Sequence, residues 1–406
     1  MPDPKPPPAE TRAFRLFLLC RVLSSLSFQM AGVAIGWLIY ARTGSAYNLG
    51  LVGLAQFLPM AALTFVVGPL ADRYDRRRIV AICEAVNVIV LCFLAWGAGS
   101  DWLGAPAIFA AVAALGAARA FEHPSMAALL PGIVSSDELP RAVAFSSSAM
   151  QTATIVGPSL GGLLYALGAR APLGLAAFLS GAACIAILAV SARPRAIARE
   201  PVTLSSVFSG LSFIWKRPVI LGAISLDLFA VLLGGVTALL PIYAHDVLET
   251  GSLGLGLLRS APAVGAVAMS FVVNRGLGAR VGEKMFIAVV VFGAAIVVFA
   301  LSRNMALSLL ALAITGAADN VSVVIRSSLV QLGTPDDMRG RVSAVNSLFI
   351  GTSNQLGEFE SGMVAGLLGA VPAGVIGGAG TIAVAFLWMR LFPQLRRADR
   401  LAVEER

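Results

Sequence analysis

Acidic and basic side chains occur within long apolar runs of this chain. A charge in such a run is unfavourable, so each of these residues must have a functional or structural role. Placing a charged side chain at the centre of a bilayer costs at least about 2.5–3.5 kcal/mol on insertion scales. Burial disfavours the charged form of a carboxyl group, so a buried acid can take up and release protons near neutral pH. The candidates for such a proton or substrate pathway are Arg21, Arg119, Glu122, Asp227, Asp319, Arg326, Glu358 and Glu360.

Fixed ion pairs between helices are the alternative use of these charges, and the spacing leaves both uses open. Arg119 and Glu122 can pair on one helix because they lie three residues apart. Glu358 and Glu360 point to different faces of a helix and cannot both face one cavity. Asp319 lies half a chain after Arg119, so we expect it to carry the proton and to exchange ion-pair partners. Glu84 is expected to pair with the nearby basic residues 76–78 instead.

The elements that position these residues are apolar segments long enough to span a membrane. The chain has 406 residues, of which 58% are hydrophobic and 13% charged, whereas soluble proteins carry roughly 25% charged residues. Apolar runs of about 20 residues recur from end to end, and each could cross a bilayer. The predicted spans are 14–41, 47–71, 79–99, 105–133, 142–168, 171–192, 218–244, 252–273, 285–302, 304–332, 343–367 and 371–392.

A polar segment at 193–217 divides the twelve spans into six and six. We therefore predict a bundle over 1–192, a linker over 193–217 and a second bundle over 218–406. Within the linker, residues 204–215 predict a short amphipathic helix on the membrane surface. The halves resemble each other, because Asp137-Glu138-Leu139-Pro140-Arg141-Ala142-Val143 after span 4 has a counterpart in Asp336-Asp337-Met338-Arg339-Gly340-Arg341-Val342 after span 10.

The distribution of positive charge predicts the orientation in the membrane. The net charge of +8 includes 30 Lys and Arg residues, and most lie on the side of the loop that follows span 2. Arg42, Arg170 and Arg303 are on the other side. This bias places the loop and both chain termini in the cytoplasm. It argues for contact with the lipid bilayer and against binding of nucleic acid.

That loop, Gly68-Pro69-Leu70-Ala71-Asp72-Arg73-Tyr74-Asp75-Arg76-Arg77-Arg78, carries a recognisable pattern. It resembles the signature Gly-x-x-x-Asp-Arg-x-Gly-Arg-Arg of the major facilitator superfamily of secondary transporters. Asp75 occupies the position where this signature has glycine, and in this respect the loop resembles that of the enterobactin-exporter-like branch. A plain basic loop that only fixes topology is the alternative. The matching residues are Gly68, Asp72, Arg73, Arg76 and Arg77.

A second pattern, in span 5, favours export. Gly157-Pro158-Ser159-Leu160-Gly161-Gly162 resembles the motif of proton-coupled exporters in this superfamily, the drug:proton antiporters. Pro158 removes a backbone hydrogen bond, and Gly157, Gly161 and Gly162 permit close contact between helices. Ordinary packing of membrane helices would also use small residues at these positions.

The resemblance implies an all-α membrane protein with twelve transmembrane helices in two six-helix pseudo-repeat bundles. It implies that spans 1, 4, 7 and 10 line a central cavity, with substrate near the membrane midplane. Asp72 and the nearby arginines would latch the cytoplasmic side when the site faces outward.

The function expected from these features is proton-coupled export of a small amphiphilic molecule, a drug-like compound or a siderophore. The partners are then that small molecule, protons and the bilayer, and we expect a monomer in the bacterial inner membrane. With two histidines, no Cys-x-x-Cys and no phosphate-binding loop, we expect no enzyme, no metal and no cofactor. One alternative is uptake of an anionic metabolite held by Arg119 and Arg326. Another is a receptor or scaffold that does not transport.

Overall fold

The computed structural model describes residues 11–135, 137–191, 204–273, 275–276 and 278–399. Within these ranges the chain forms helices and no strand. The first half contains α1 (Arg12–Thr43), α2 (Ala46–Arg73), α3 (Arg76–Gly97), α4 (Ala105–Ile133), α5 (Leu139–Tyr165), α6 (Arg170–Leu188) and α7 (Leu204–Trp215). The second half contains α8 (Pro218–Leu233), α9 (Leu240–Ile242), α10 (Gly251–Val273), α11 (Val281–Leu301), α12 (Met305–Leu332), α13 (Asp336–Leu368), α14 (Ala370–Leu391) and α15 (Pro393–Arg396).

The predicted all-α membrane fold is confirmed, with helical segments at the twelve predicted positions. Among the described residues, ten segments are long and apolar enough to cross a membrane. α5 and α13 are not among the ten, and both carry polar side chains along their length, such as Gln151 and Asn354. α13 also begins at Asp336, well before the predicted start at 343, because the polar residues that suggested a loop continue the helix.

The seventh predicted span, 218–244, is interrupted in the structure, whereas a continuous helix was expected. α8 ends at Leu233 and is followed by a 3-10 turn (Val236–Leu239), α9 and a π-helical turn (Tyr243–Val247). Gly234 and Gly235 lie at the break, and glycine is a poor helix former. A Cβ atom on Gly235 would lie 2.3 Å from the carbonyl oxygen of Gly357, so only glycine allows this approach to α13.

The chain forms two compact units. The first comprises Met1–Ala41 and Ala55–Pro201. Its core joins Phe14 and Phe17 of α1 to Val80 of α3, Met126 of α4 and Ile187 of α6, all buried. Four helices of the first half therefore share one apolar centre.

The second unit comprises Arg42–Leu54 and Val202–Arg406. One core cluster joins Leu226 of α8 to Phe286 of α11 and Leu329 of α12. The beginning of α2 belongs to this unit because it lies against α13. A Cβ atom on Gly362 would be only 2.5 Å from the Cα atom of Gly50.

The amphipathic helix predicted at 204–215 is present as α7 with the same bounds. Ile214 is fully buried against α8, α12 and α13. Phe208 and Trp215 are exposed on the same helix. The helix thus packs on other helices of the second unit with one face and leaves aromatic side chains exposed on another, as expected for a helix at a membrane surface.

Candidate functional site

In the first unit, Arg119 and Glu122 form the ion pair that their spacing allows. The Arg119 Nη1 atom donates to both carboxylate oxygens of Glu122, at 3.2 and 3.3 Å. The Ser24 hydroxyl of α1 donates to Glu122 Oε1 at 2.6 Å, and the guanidinium lies 4.5 Å from the ring centre of Phe28. Arg21, half-buried on α1, is close enough for its charge to interact with that of Arg119. The Glu122 carboxylate is therefore neutralised within its own unit.

Glu84 of α3 corrects one prediction. Its side chain is completely buried, and neither carboxylate oxygen has a hydrogen-bond partner among the described residues. It does not pair with Arg76 or Arg77, because the helix turns this residue inward, away from the basic end. Its neighbours are Glu122 and the polar residues Ser24, Ser180 and Asn87.

The loop between α2 and α3 is held by arginine contacts to backbone carbonyls and to Asp75. Arg76 Nη1 donates to the carbonyl of Ala128 in α4 at 3.2 Å. Arg77 Nη1 donates to the carbonyl of Val190 beyond α6 at 2.9 Å. Two of the predicted latch arginines thus tie α3 to α4 and to the segment that follows α6.

Asp75, which replaces the glycine of the family pattern, caps α3. One of its oxygens accepts the backbone N–H of Arg77 at 2.9 Å, and the other accepts Arg77 Nη2 at 2.7 Å. The hydrogen bonds from the Arg77 side chain hold the pKa of Asp75 below its usual value. The side chains of the other predicted latch residues, Gly68, Asp72 and Arg73, lie outside the described part of the chain, although their backbone belongs to α2.

The pattern in α5 lies at a close contact with α1. A Cβ atom on Gly157 would be 2.6 Å from the Cβ atom of Gln29, and one on Gly161 would be 3.1 Å from the Cα atom of Met30. Pro158 and Gly162 are buried in the same helix. The small residues therefore permit tight helix packing, as either interpretation of the motif requires.

In the second unit, Asp227 of α8 and Arg326 of α12 form a buried ion pair. The Arg326 Nη1 atom donates to Asp227 Oδ2, and the two side chains are 4% and 6% exposed. Arg326 Nε has no partner among the described residues. Asp227 is therefore committed to a basic partner in this conformation, which favours the structural alternative over proton transport for this residue.

Asp319 of α12 differs from Asp227 because it forms no ion pair or hydrogen bond within the described residues. It lines a cavity of about 190 Å³ together with Glu358 of α13 and Asn354. Thr237 and Thr315 add hydroxyl groups to the lining. The apolar walls include Phe292, Ile296, Leu312 and Pro262. The predicted residues Asp319 and Glu358 are thus brought together in one cavity.

Glu358 and Glu360 are separated, as their spacing predicts. Glu358 faces the cavity and is close enough to Arg259 of α10 for their charges to interact. A Cβ atom on Gly53 of α2 would lie 3.1 Å from Glu358 Oε2, so this glycine makes room for the carboxylate. Glu360 is half-buried and accepts a hydrogen bond from the Ser361 hydroxyl at 3.4 Å.

Part of the cavity is formed by the break after α8, which the predicted spans do not include. Gly234, Gly235 and Thr237 line it, and a broken membrane helix leaves backbone carbonyl groups without helical partners. Two consecutive glycines in the middle of an apolar span were the available signal. Arg259 was also left out of the candidate pathway.

Comparisons with known proteins identify relatives over most of the chain. The sequence profile of the Major Facilitator Superfamily matches residues 17–358. The enterobactin exporter EntS of Citrobacter koseri is 27% identical and covers 95% of this chain and 93% of its own length. The multidrug efflux pump Tap of Mycobacterium tuberculosis is 28% identical and covers 86% of this chain and 85% of its own.

Solved structures show the same fold. A bacterial homologue of the human lysosomal transporter Spinster, in an inward-facing conformation, superimposes with a TM-score of 0.75 at 14% identity. That match covers 95% of this chain and 99% of the other. A D-xylose-proton symporter gives a TM-score of 0.71 at 14% identity, over 95% and 98% of the two chains.

Proposed function

Because this chain belongs to the major facilitator superfamily and is a multi-pass membrane transporter, we propose that it exports a small amphiphilic molecule in exchange for protons. The observation that carries the proposal is the cavity of the second unit, where Asp319 and Glu358 stand among apolar side chains. Such a lining suits a ligand with an apolar body and a polar or cationic group.

Exchange follows if proton and substrate compete for the same carboxylates. A buried acid without an ion-pair partner is stable when neutral and becomes costly when charged. Binding of a cationic or hydrogen-bonding substrate to Asp319 would favour release of its proton. Protonation from the other side of the membrane would then release the substrate. Asp319 forms no ion pair within the described residues that would prevent this cycle, and Arg326, whose charge acts on it, is bonded to Asp227.

The relatives support export over other directions of transport. The names of EntS and Tap describe an enterobactin exporter and a multidrug efflux pump. The pattern at Gly157, Pro158, Gly161 and Gly162 in α5 supports the same direction. We place the protein in the bacterial inner membrane as a monomer without a cofactor, with both termini cytoplasmic and with Asp72 as part of the cytoplasmic latch.

Uptake of an anionic metabolite is less well supported. The two arginines that would hold an anion, Arg119 and Arg326, are bonded to Glu122 and Asp227. An anion would have to displace a buried carboxylate from each of them. A scaffold without transport has no need of an unpaired acid in a cavity.

The test is transport into inverted membrane vesicles with an imposed proton gradient, acidic inside. Ethidium and a catecholate siderophore are offered as probes, and vesicles from cells lacking the protein serve as the control. We expect accumulation of at least one probe that collapses on addition of a protonophore. The Asp319→Asn variant should abolish the dependence on the gradient.

Two other results would support the alternative functions. Accumulation of an anionic probe only in right-side-out vesicles would support the uptake alternative. Binding of a probe without transport in either orientation would support a receptor.

A further inference from the structure

Glu84 is a buried acid that the function proposed above does not use. It lies in α3 with a side chain that is 0% exposed, in the centre of the first unit. Neither Oε1 nor Oε2 has a hydrogen-bond partner among the described residues. A buried polar group in this state is uncommon in folded proteins and calls for a functional or chemical explanation.

The two serine hydroxyls beside Glu84 also take part in other hydrogen bonds. The Ser24 hydroxyl donates to Glu122 at 2.6 Å. The Ser180 hydroxyl shares a hydrogen bond of 2.9 Å with Ser27, whose own position is fixed on the carbonyl of Ala176. These hydroxyls and the Asn87 amide lie next to Glu84 and offset part of the cost of a negative charge on it, but burial and the charge of Glu122 outweigh them.

The surrounding charges also disfavour a carboxylate at Glu84. The charge that acts on it is that of Glu122, which repels a second negative charge. Arg119 is engaged with Glu122 through both carboxylate oxygens. The other titratable neighbours are the thiols of Cys20, Cys83 and Cys184, which supply no positive charge. An unpaired buried charge is far less stable than the neutral acid.

A small polar cavity lies beside two neighbours of Glu84, Ser24 and Asn87. A cavity of about 20 Å³ is lined by Ser24, Asn87, Arg119 and Glu122, among others. This volume accommodates one water molecule, and the lining offers it several hydrogen-bond partners. Ser24 contacts Glu122 directly and is adjacent to Glu84, so its hydroxyl can connect the two carboxyl groups.

We propose that Glu84 binds a proton in this conformation and exchanges it with Glu122 through the Ser24 hydroxyl, an inference that rests on the proton coupling proposed above. In the transfer, the O–H bond of Glu84 breaks and its proton moves to Ser24 Oγ. The original hydroxyl proton of Ser24 moves to Glu122 Oε1. Glu84 becomes a carboxylate, Glu122 becomes a neutral acid, and the ion pair of Glu122 with Arg119 loses its attraction. Transport would thereby be linked to rearrangement of Arg119.

The first test is infrared difference spectroscopy on the purified full-length protein in liposomes at neutral pH. A neutral carboxylic acid has a C=O stretching band that a carboxylate lacks. We expect Glu84→Gln to remove one such band relative to the wild type. The matched control is Glu249→Gln, which changes an exposed acid and should remove none. An unchanged band intensity in Glu84→Gln would show that Glu84 is ionised and would overturn the proposal.

The second test measures transport by the same liposomes with ethidium as the probe. Glu84→Gln mimics the neutral acid, so we expect normal abundance and normal exchange of ethidium for ethidium at equal pH. Accumulation driven by a proton gradient should fall to the level of protein-free liposomes. Full gradient-driven accumulation in this variant would reduce Glu84 to a packing residue and overturn its role as a carrier.

Misfolding of the variant and failure of the proposed function can both be distinguished from failure of the proposal for Glu84. If Glu84→Gln does not fold, Glu84→Asp keeps an acid at the site and should retain a neutral carboxyl band with slower coupled transport; loss of that band would contradict the proposal. If the wild type shows no gradient-driven accumulation, the proposed function fails, and the infrared band alone decides whether Glu84 holds a proton.

Discussion

Buried acids in this chain differ in what neutralises them. Glu122 is bonded to Arg119, and Asp227 is bonded to Arg326. Asp319 lines a cavity with no ion pair among the described residues. Since a basic partner favours the charged form of an acid while the pair is intact, the unpaired acid is the better candidate to bind and release protons in this conformation.

Asp319→Asn should therefore separate coupling from folding. The substitution leaves no buried positive charge unpaired, because Arg326 keeps Asp227 as its partner. We expect wild-type abundance and retained substrate binding, with transport that no longer responds to external pH. Quantitative immunoblotting and ethidium transport at several pH values check this. Loss of folded protein in Asp319→Asn, or full coupling, would contradict it.

The Asp75 carboxylate is expected to stabilise the folded protein by an amount that depends on pH. Its pKa is lowered in the folded state, chiefly by hydrogen bonds from Arg77. Its stabilisation is therefore present above the unfolded pKa of about 4 and disappears as pH falls through the lower folded pKa. Loss of a helix N-cap costs about 1 kcal/mol, so Asp75→Ala should unfold more easily at neutral pH and match the wild type in acid.

Thermal unfolding in detergent, followed from neutral pH to about pH 3, measures this difference across the titration range of Asp75. Asp101→Ala changes an exposed acid in a turn and serves as the control. A difference between Asp75→Ala and the wild type that is equal at both ends of the range would show that the carboxylate charge contributes nothing.

Sequence spacing predicted some of these contacts and not others. The pair Arg119–Glu122 follows from helix geometry, because residues three apart share a face. The pair Asp227–Arg326 joins α8 to α12, and no local rule connects residues so far apart in sequence. Glu84 was misassigned because its closeness in sequence to the basic loop says nothing about which way the helix turns it.

At the scale of elements, the Asp227–Arg326 pair joins α8 to α12 in the second unit. Removing one partner of a buried ion pair typically costs about 3–5 kcal/mol, because the other charge is left unpaired. We expect Asp227→Asn to lower the amount of folded protein strongly. The double variant Asp227→Leu with Arg326→Met should recover much of it. Size-exclusion chromatography in detergent measures both.

Asp246→Asn provides the control for this pair. Asp246 is exposed and its partner His245 is exposed as well, and surface pairs contribute between about 0 and 1 kcal/mol. Its variant should behave like the wild type. Wild-type amounts of folded Asp227→Asn protein would contradict a structural role for the buried pair.

Helix positions were largely predictable and their interruptions were not. Length and hydropathy place the helices because each must bury its backbone hydrogen bonds in lipid. α4 has the predicted bounds 105–133, and α7 has the predicted bounds 204–215. The break after Leu233 depends on the close approach of Gly235 to α13, which is a tertiary contact.

At the scale of the whole molecule, family membership was predictable from one loop, whereas the cavity was not. The residues at 68–77 identified the superfamily that the profile comparison confirms. The cavity around Asp319 combines α8, α10, α11, α12 and α13, so its lining appears only once the second unit is folded.

Orientation in the membrane gives a prediction at this scale. A reporter that works only in the cytoplasm should be active when fused after Arg78, Arg199 or Arg397, because the positive charges concentrate on that side. The same reporter should be silent near Ala46 or Thr250. The opposite pattern at these five positions would overturn the assigned topology.

Exchange of substrate for protons is the central claim, and it can be measured without imposing a proton gradient. The purified protein is reconstituted into liposomes that contain a trapped pH indicator, and ethidium is added outside. We predict that the lumen becomes alkaline as ethidium enters, and that Asp319→Asn liposomes show no such change. Entry of ethidium through the wild-type protein with no change in lumenal pH would contradict the account.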